Sequence, residues 1–250
     1  MNKIAIWDAD FIPFYVCHVK KDYPEKSFTD CVNLSEDLIY NINTAIGADT
    51  MIMCFTSGKC FRYNIYPEYK ANRKYGDPPK HLFEIKDYLI SKYKGVVYKD
   101  IYEADDLVCI LKNKLNNYKC TIVSPDKDML MLEGIHYNPK TNEWVTTTEQ
   151  QAIEYFWKSM IHGDTADNLC GIKGIGKVGA DKIINNKELF EDYNTLILKH
   201  YIKIYGEDLG IEMYYKMYKC LKIIDKDDTV EIPELIEVKN GSCEEERLFS

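Results

Sequence analysis

The sequence predicts an α/β protein whose central, twisted and mostly parallel sheet is flanked by helices and followed by a helical lobe. Up to residue 147, short apolar runs alternate with amphipathic helical patterns, which is typical of a parallel sheet covered on both faces. From residue 148 onward only helical patterns occur. We therefore expect an α/β domain over 1–147 and a helical lobe over 148–250.

Four apolar runs are the candidate strands. They are KIAIW at 3–7, MIMCF at 51–55, VVY at 96–98 and CTIVS at 120–124. Apolar residues at helical spacing separate them, and this pattern predicts three intervening helices. The stripes are Leu34, Leu38, Ile42 and Ala45, then Leu82, Ile85 and Leu89, then Ala104, Leu107, Val108, Leu111 and Leu115.

The helical lobe begins at a recognisable start signal. Thr148 and Gln151 have the spacing of a capping box, and Gly163 is placed to end the helix that follows. The apolar stripe of this first helix is Ala152, Ile153, Phe156, Trp157, Met160 and Ile161. Later residues, through Leu196, Ile202, Met213 and Leu221, continue in helical patterns.

Composition excludes several classes of protein. A chain of 250 residues with 46% apolar content can bury a sizeable core. It has no signal-peptide pattern and no apolar run long enough for a membrane span, so we expect a soluble cytoplasmic protein without a membrane partner. The nine cysteines include no CxxC pair, which argues against a disulfide framework or a zinc site and indicates reduced thiols.

Charge is unevenly distributed along the chain. The net charge of -8 argues against nucleic-acid binding, because lysine and arginine supply most of the affinity for phosphate. Between residues 59 and 99, however, the chain has ten basic residues and only four acidic ones. This segment is either a solvated basic face or a surface for phosphates. Divalent cations bound at the acidic residues elsewhere would also change the local sign of the charge.

Acidic residues follow the predicted strands at one edge of the sheet. Asp8 and Asp10 follow the first strand, and the others come after the third and fourth. Because ligand crevices form at the carboxyl ends of parallel strands, we expect these side chains to converge. The later acidic residues are Glu103, Asp105 and Asp106, then Asp126 and Asp128.

A cluster of carboxylates needs neutralisation, because like charges at close range disfavour ionisation. Oxygen ligands without histidine or cysteine favour Mg²⁺ or Mn²⁺ over zinc, and two such ions can drive in-line displacement at phosphorus. Any one of these acids could instead cap a helix or favour its dipole. That explanation requires separate coincidences at three strand ends and again at Asp164 and Asp167.

The stretch GIKGIGKVGADKII predicts a helix-hairpin-helix over about 164–186. Gly174 and Gly176 would let the backbone approach a phosphate closely, and amides at the start of the next helix could bind it without reading sequence. Lys173 and Lys177 would add charge contacts. Glycine turns between helices are common, so the motif alone is only moderately specific.

Five blocks in order resemble the 5′-nuclease superfamily, which includes flap endonucleases, the 5′→3′ exonuclease domain of DNA polymerase I and stand-alone bacteriophage exonucleases. The resemblance covers most of the chain and implies a PIN-like α/β domain. The blocks are WDAD at 7–10, FRYNIYPEYKANR at 61–73, EADD at 103–106, SPDKDML at 124–130 and GDTADNLCGIKGIG at 163–176.

The resemblance implies a role for each matching residue. Lys70 and Arg73 would contact the scissile phosphate, with Asp126 as a central catalytic ligand, and Tyr69 would stack on an unpaired base. Arg62 would contact nucleic acid within a basic arch or clamp over about 62–95. The implied ligands of two Mg²⁺ or Mn²⁺ ions are Asp8, Glu103, Asp105, Asp106, Asp126, Asp128, Asp164 and Asp167, with Asp10 as a weaker candidate.

The resemblance also implies partners. DNA with 5′ flaps, nicks or free 5′ ends would be the substrate, and RNA–DNA hybrids would be a further substrate. The glycine hairpin would bind a potassium ion. We expect a monomer that works with separate replication proteins. One departure concerns the segment after the second strand, CFTSGKCFR, where many relatives have an aspartate and this chain has Thr56 and Ser57.

Two alternatives remain at this point. WDADF and GDTADN resemble the acidic motifs of haloacid dehalogenase-like phosphatases, but that similarity leaves EADD, PDKD and GIKGIG unexplained. The missing acid after the second strand favours a second alternative, a structure-specific DNA-binding protein with weakened catalysis.

Overall fold

The computed structural model describes residues 2–20, 23–73, 77–185 and 192–238. The end of the predicted hairpin at residue 186, residues 74–76 of the predicted basic arch and residues 239–250 of the predicted helical lobe lie outside these residues. The strands are β1 (Lys3–Asp8), β2 (Thr50–Phe55), β3 (Val96–Val97), β4 (Lys119–Val123), β5 (Gly134–Asn138), β6 (Glu143–Thr147) and β7 (Ile236–Glu237). The α-helices are α1 (Phe11–Cys17), α2 (Phe28–Ile46), α3 (Arg62–Ile65), α4 (Leu82–Lys92), α5 (Ala104–Lys114), α6 (Glu149–His162), α7 (Lys177–Ile184), α8 (Tyr193–Tyr205) and α9 (Glu207–Leu221).

The strands form one mostly parallel sheet in the order β3-β2-β1-β4-β5-β6. The four predicted strands are confirmed, and β1 to β4 are mutually parallel where they pair. The antiparallel hairpin of β5 and β6 was not predicted. Its signal was the alternation in IHYN and EWVTT on either side of the turn-forming PKTN segment.

Side-chain alternation along β1 divides the core between the two faces of the sheet. Ala5 and Trp7 pack with helices α1, α2 and α4 on one face. Ile4 and Ile6 pack with helix α5 on the other. The central residues of β1 are buried on both faces. Helices on both sides therefore hold this strand, and with it the carboxyl end of the strand, in a fixed position.

Helix α2 is present as predicted, but its buried face differs. Its start has a capping box in which Asp30 N donates to Ser27 Oγ at 3.1 Å and Ser27 N donates to Asp30 at 3.1 Å. The predicted residues Leu34 and Ala45 are exposed. Ile42 is buried as predicted and Leu38 packs against the core, but the other buried positions are Cys31, Ser35, Ile39, Asn43 and Ile46, so the buried stripe only partly coincides with the predicted one.

Helices α6 to α9 pack around a third core, beside the sheet domain. The capping box at Thr148 and the helix end at Gly163 are confirmed. The final strand, β7, pairs antiparallel with β2, so residues 236–237 of the expected helical lobe lie on the sheet. The domain boundary at 147 and 148 stays a prediction.

The predicted hairpin is only partly helical. Residues 171–176 form turns and irregular structure instead of a short first helix, and helix α7 begins at Lys177. Helices α6 and α7 contact each other across this loop. A helix-hairpin-helix in the strict sense therefore stays a prediction.

Candidate metal centre and nucleic-acid interface

Most of the predicted metal ligands line one cavity of about 230 Å³ at the carboxyl edge of the sheet. The cavity wall also includes the side chains of Lys70 and Arg73. The acidic residues that line it are Asp8, Asp10, Glu103, Asp105, Asp126, Asp128, Asp164 and Asp167. Residues from four separate segments thus converge as the parallel topology predicts, and only Asp106 among the predicted ligands does not line the cavity.

Asp8 and Asp126 meet because β1 and β4 are adjacent parallel strands. The register pairs Trp7 with Val123, so the residues that follow each strand lie side by side. Ser124 Oγ donates to Asp8 Oδ2 at 2.8 Å and accepts from Asp126 N at 3.0 Å. Burial, with added repulsion from Asp10, raises the pKa of Asp8 from 3.8 to about 7.

Asp128 and Asp164 form a second acidic group on the cavity wall. Burial and repulsion from Asp126 raise the pKa of Asp128 from 3.8 to about 7. Tyr155 of helix α6 donates a hydrogen bond to Asp128 Oδ1 at 3.2 Å. The Asp164 carboxylate accepts from Ala166 N at 2.8 Å, which fixes the turn that carries it.

Two tightly packed glycines position this acidic turn. Gly163 has a φ of 75°, and an added Cβ would lie 2.2 Å from the carbonyl oxygen of Leu169. Gly171 has a φ of 59°, and its Cβ would lie 2.4 Å from Gly163 N. Only glycine can occupy either position without moving the backbone.

Asp106 and Arg62 are placed differently from the expectation. Both are buried, and the Arg62 guanidinium donates to Asp106 at 2.6 and 2.8 Å. Arg62 also donates to the carbonyl oxygens of Cys220 and Lys222 at 2.8 and 3.1 Å. The predicted metal ligation by Asp106 and nucleic-acid contact by Arg62 are corrected, because this buried ion pair joins helix α3 to helix α5, and Arg62 connects both to the end of helix α9.

The remaining acids of EADD face the cavity. Burial and repulsion from Asp106 raise the pKa of Asp105 well above its ordinary value. Burial acts in the same direction on Glu103, but the Lys70 ammonium and the Arg62 guanidinium hold the pKa of Glu103 below its ordinary value. Glu103 is therefore an ionised partner of two cations, whereas Asp105 has an unbalanced charge.

Tyr69 also differs from the prediction. It is 2% exposed, and its hydroxyl oxygen lies 2.8 Å from a carboxylate oxygen of Glu103 and 2.8 Å from one of Asp167, between which its single proton is shared. Its ring packs edge-on against Tyr63. A base cannot stack on a buried ring, so Tyr69 orients two cavity carboxylates instead of contacting an unpaired nucleotide.

Lys70 and Arg73 reach the cavity as predicted. Lys70 forms a salt bridge with Glu103 and lies 3.7 Å from Asp167, and Arg73 Nη2 donates to Asp167 at 2.5 Å. Lys70 has a φ of 57°, and its backbone N–H donates to the carbonyl oxygen of Asp167 at 2.9 Å. This strained conformation joins the YKANR and GDTADN segments directly.

Asp10 already has hydrogen-bond partners in the segment after β2 and in helix α4. Its Oδ2 accepts from Thr56 N at 3.0 Å, and its Oδ1 accepts from Lys86 Nζ at 2.7 Å. The Thr56 hydroxyl accepts from Ala104 N at 2.9 Å and so caps helix α5. Lys86 was not predicted as a site residue, although its position in the basic segment was a usable signal.

The cavity fits hard divalent cations by the chemistry of its donors. Over residues 2–20, 23–73, 77–185 and 192–238, no three acidic, histidine or cysteine side chains already form a compact ligand set. Burial, with added repulsion between carboxylates, nevertheless raises the pKa values of Asp8, Asp105 and Asp128, and a bound cation would oppose this repulsion. Oxygen donors without histidine or cysteine favour hard divalent cations over zinc.

The glycine loop before helix α7 presents open backbone. Lys173, Gly174, Gly176 and Lys177 are exposed, and a Cβ added at either glycine would meet nothing within 4 Å. Tyr205 holds the loop from behind, because its hydroxyl accepts from Lys173 N at 2.9 Å and donates to Gly171 O at 3.0 Å. A flat, amide-rich surface of this kind can contact phosphates.

A larger cavity of about 670 Å³ adjoins the acidic one. It shares Asp10, Lys70, Arg73 and Glu103 with the acidic cavity. Its wall also includes the exposed aromatic rings of Phe14 and Phe83, at 52% and 65% exposure. Helix α4, which carries Phe83, is anchored in the core by Ile85 and Leu89.

Comparison with known proteins agrees with this geometry. Residues 12–156 match the family model of the 5′-3′ exonuclease, N-terminal resolvase-like domain. The chain belongs to this 5′-3′ exonuclease family. A 5′-3′ exonuclease of Aquifex aeolicus is 30% identical over 72% of this chain and 69% of its own length. DNA polymerase I of Borreliella burgdorferi is 29% identical over the whole chain, which spans 30% of that protein.

Solved structures show the same fold as this family member. The D15 protein of bacteriophage T5, co-crystallized with metal ions, superposes with a TM-score of 0.65 at 21% identity and covers 88% of this chain and 90% of its own. The family match argues against the phosphatase alternative, as does the position of Asp164 after helix α6 instead of a strand. None of the helices in the described ranges is long and apolar enough to span a bilayer.

Proposed function

We propose that this protein is a metal-dependent 5′-nuclease that hydrolyses phosphodiester bonds at or near the 5′ ends of flapped, nicked or otherwise branched DNA. One observation supports the proposal above the others. Acidic residues from four segments line a single cavity together with Lys70 and Arg73, in a chain of the 5′-3′ exonuclease family.

Two Mg²⁺ or Mn²⁺ ions are the proposed cofactors. Asp8, Asp126 and Asp128, which follow β1 and β4, would hold them from one side of the cavity. Glu103 and Asp105 would hold them from the start of helix α5, and Asp164 and Asp167 from the turn after helix α6. When bound, such ions lower the pKa of an attacking water and stabilise the leaving oxygen.

Lys70 and Arg73 are the proposed contacts for the scissile phosphate. Both cations lie on the cavity wall and are held in place by carboxylates. A phosphate that enters the cavity can replace part of these carboxylate contacts with its own oxygens, because charge-assisted hydrogen bonds to either group have similar geometry. The preset positions of the two side chains would orient the phosphate for in-line attack.

Two surfaces extend from the cavity for the strands of the substrate. The adjoining cavity, with Lys86 and the exposed rings of Phe14 and Phe83, has a size and chemistry suited to an unpaired strand. The open glycine loop with Lys173 and Lys177 suits the phosphates of a duplex without reading its sequence. We further propose that the loop binds potassium, that the protein is a monomer, and that RNA–DNA hybrids and separate replication proteins are additional partners.

Cleavage of a 5′-labelled flap oligonucleotide tests the proposal. Wild-type protein should release short 5′ products with Mg²⁺ and none with a chelator. Asp126→Asn should lose cleavage but retain binding to the flap substrate in Ca²⁺. The matched control is Asp37→Asn, because Asp37 is exposed on helix α2 and does not line the cavity.

Three outcomes separate the candidate functions. Metal-dependent cleavage that Asp126→Asn abolishes supports the nuclease. Tight flap binding with no cleavage in Mg²⁺ or in Mn²⁺ supports a DNA-binding protein with weakened catalysis. The structural reason would be Thr56, which stands where an acid would be expected. Release of phosphate from a small monoester without flap cleavage would contradict both.

A further inference from the structure

Ser124 occupies the point where the two central strands end. It directly follows β4, beside Asp8 at the end of β1. The side chain is 7% exposed, and its backbone N–H donates to the carbonyl oxygen of Tyr137 on β5 at 3.2 Å. The residue is therefore held by the sheet and has little freedom to move.

The hydroxyl of Ser124 connects two predicted metal ligands that come from different parts of the chain. Its oxygen donates to the Asp8 carboxylate at 2.8 Å and accepts from the backbone N–H of Asp126 at 3.0 Å. One small group thus fixes the rotamer of Asp8 and the backbone that carries Asp126. Asp126 in turn accepts from Asp128 N at 2.9 Å, which extends the connection to the third acid.

This connection matters because the two acids repel each other. Without the hydroxyl, Asp8 could rotate away from Asp126 and reduce the repulsion, and a cation would have to restore the arrangement when it binds. Hydrogen-bond partners that preorient metal ligands typically contribute about 10- to 100-fold in metal affinity. The backbone N–H of Asp10 also donates to the Asp8 carboxylate, but it does not connect Asp8 to Asp126.

We propose that Ser124 is a positioning residue that sets the divalent-cation affinity of this protein by holding Asp8 and Asp126 in one arrangement. This inference rests on the proposed function for the identity of the ions. It assigns Ser124 no contact with substrate or with the reacting atoms. Removing the hydroxyl should therefore weaken metal binding more than it slows cleavage at saturating metal.

Calorimetric titration of the DNA-free protein with Mn²⁺ measures this effect. Ser124→Ala should raise the dissociation constant about 10-fold or more. Ser124→Thr keeps the hydroxyl and should remain within about threefold of wild type. Ser124→Cys keeps a side chain of similar shape but has only a weak hydrogen-bond donor, so it should weaken Mn²⁺ binding. It provides a second variant if Ser124→Ala folds poorly. In flap cleavage, Ser124→Ala should need about 10-fold more Mg²⁺ for half-maximal rate, with a nearly unchanged rate at saturation.

Ser35→Ala is the matched control. Ser35 is also buried, and its hydroxyl donates to the carbonyl oxygen of Cys31 at 2.7 Å within helix α2. It should lower thermal stability in chelator but leave Mn²⁺ affinity unchanged. Unchanged affinity in Ser124→Ala, or equal weakening in Ser35→Ala, would overturn the inference. Wild-type protein that binds no Mn²⁺ would overturn the proposed function as well.

Discussion

Removal of the Asp8 charge should stabilise the metal-free protein at alkaline pH. The folded state holds the Asp8 proton more tightly than the unfolded state, because the pKa rises from 3.8 to about 7. The free energy of unfolding therefore decreases as pH rises through this interval and is level above it. The replacement Asp8→Asn keeps the shape of the side chain and an acceptor for Ser124, but it removes the repulsion from Asp10 and Asp126.

The size of the effect follows from the shift. About three pKa units correspond to about 4 kcal/mol at pH 8. Water screens part of this interaction at a partly exposed cavity wall, so about 2 kcal/mol is expected. The stabilisation by Asp8→Asn should be small at pH 4 and should vanish well below pH 3.8, where the acid is protonated in both states.

Urea unfolding in chelator at pH 4, 6 and 8 provides the assay, with Asp37→Asn as the exposed control. The midpoint of Asp8→Asn should exceed that of wild type increasingly toward pH 8. Saturating Mg²⁺ should then favour wild type, because ligand that binds only the folded state adds stability. If Asp8→Asn is less stable than wild type at pH 8 in chelator, or if the difference does not depend on pH, the reasoning on carboxylate repulsion is wrong.

Three further predictions concern other parts of the structure. Arg62→Met should lower the free energy of unfolding by about 3–5 kcal/mol in urea denaturation, since it leaves the buried Asp106 carboxylate unpaired; the double variant with Asp106→Leu should recover part of this loss. Gly171→Ala should lower the melting temperature in a thermal scan, since its Cβ would lie 2.4 Å from Gly163 N; an unchanged melting temperature would contradict the described turn. Lys177→Ala should weaken duplex binding and reduce the slope of log affinity against log salt by about one, whereas an unchanged slope would place Lys177 away from the phosphates.

The sequence was sufficient to predict where the acids converge. Strand ends in a parallel sheet share one edge, so the positions of Asp8, Glu103 and Asp126 followed from the alternation of strands and helices. The roles of individual side chains needed the structure. Asp105 and Asp106 are neighbours in the first turn of helix α5, yet one faces the cavity and the other faces Arg62.

Such differences arise because a motif fixes spacing but not side-chain direction. Arg62 and Tyr69 lie in a basic, aromatic segment that suggested a nucleic-acid surface, and both are buried against carboxylates of EADD and GDTADN. Their partners are distant in sequence, so no local pattern identifies them. The exposed Phe14 was likewise outside the predicted site, because an apolar residue in a short helix normally indicates core.

The Lys86 ammonium forms a salt bridge with Asp10, and a phosphate oxygen could compete for the same ammonium. If a phosphate oxygen bound Lys86, Asp10 would lose its cation and would become available to a metal ion. Helix α4 need not shift, because only the flexible lysine chain must turn. Binding of a nucleic-acid strand and binding of a metal ion would then be linked by equal factors in both directions, so each would tighten the other.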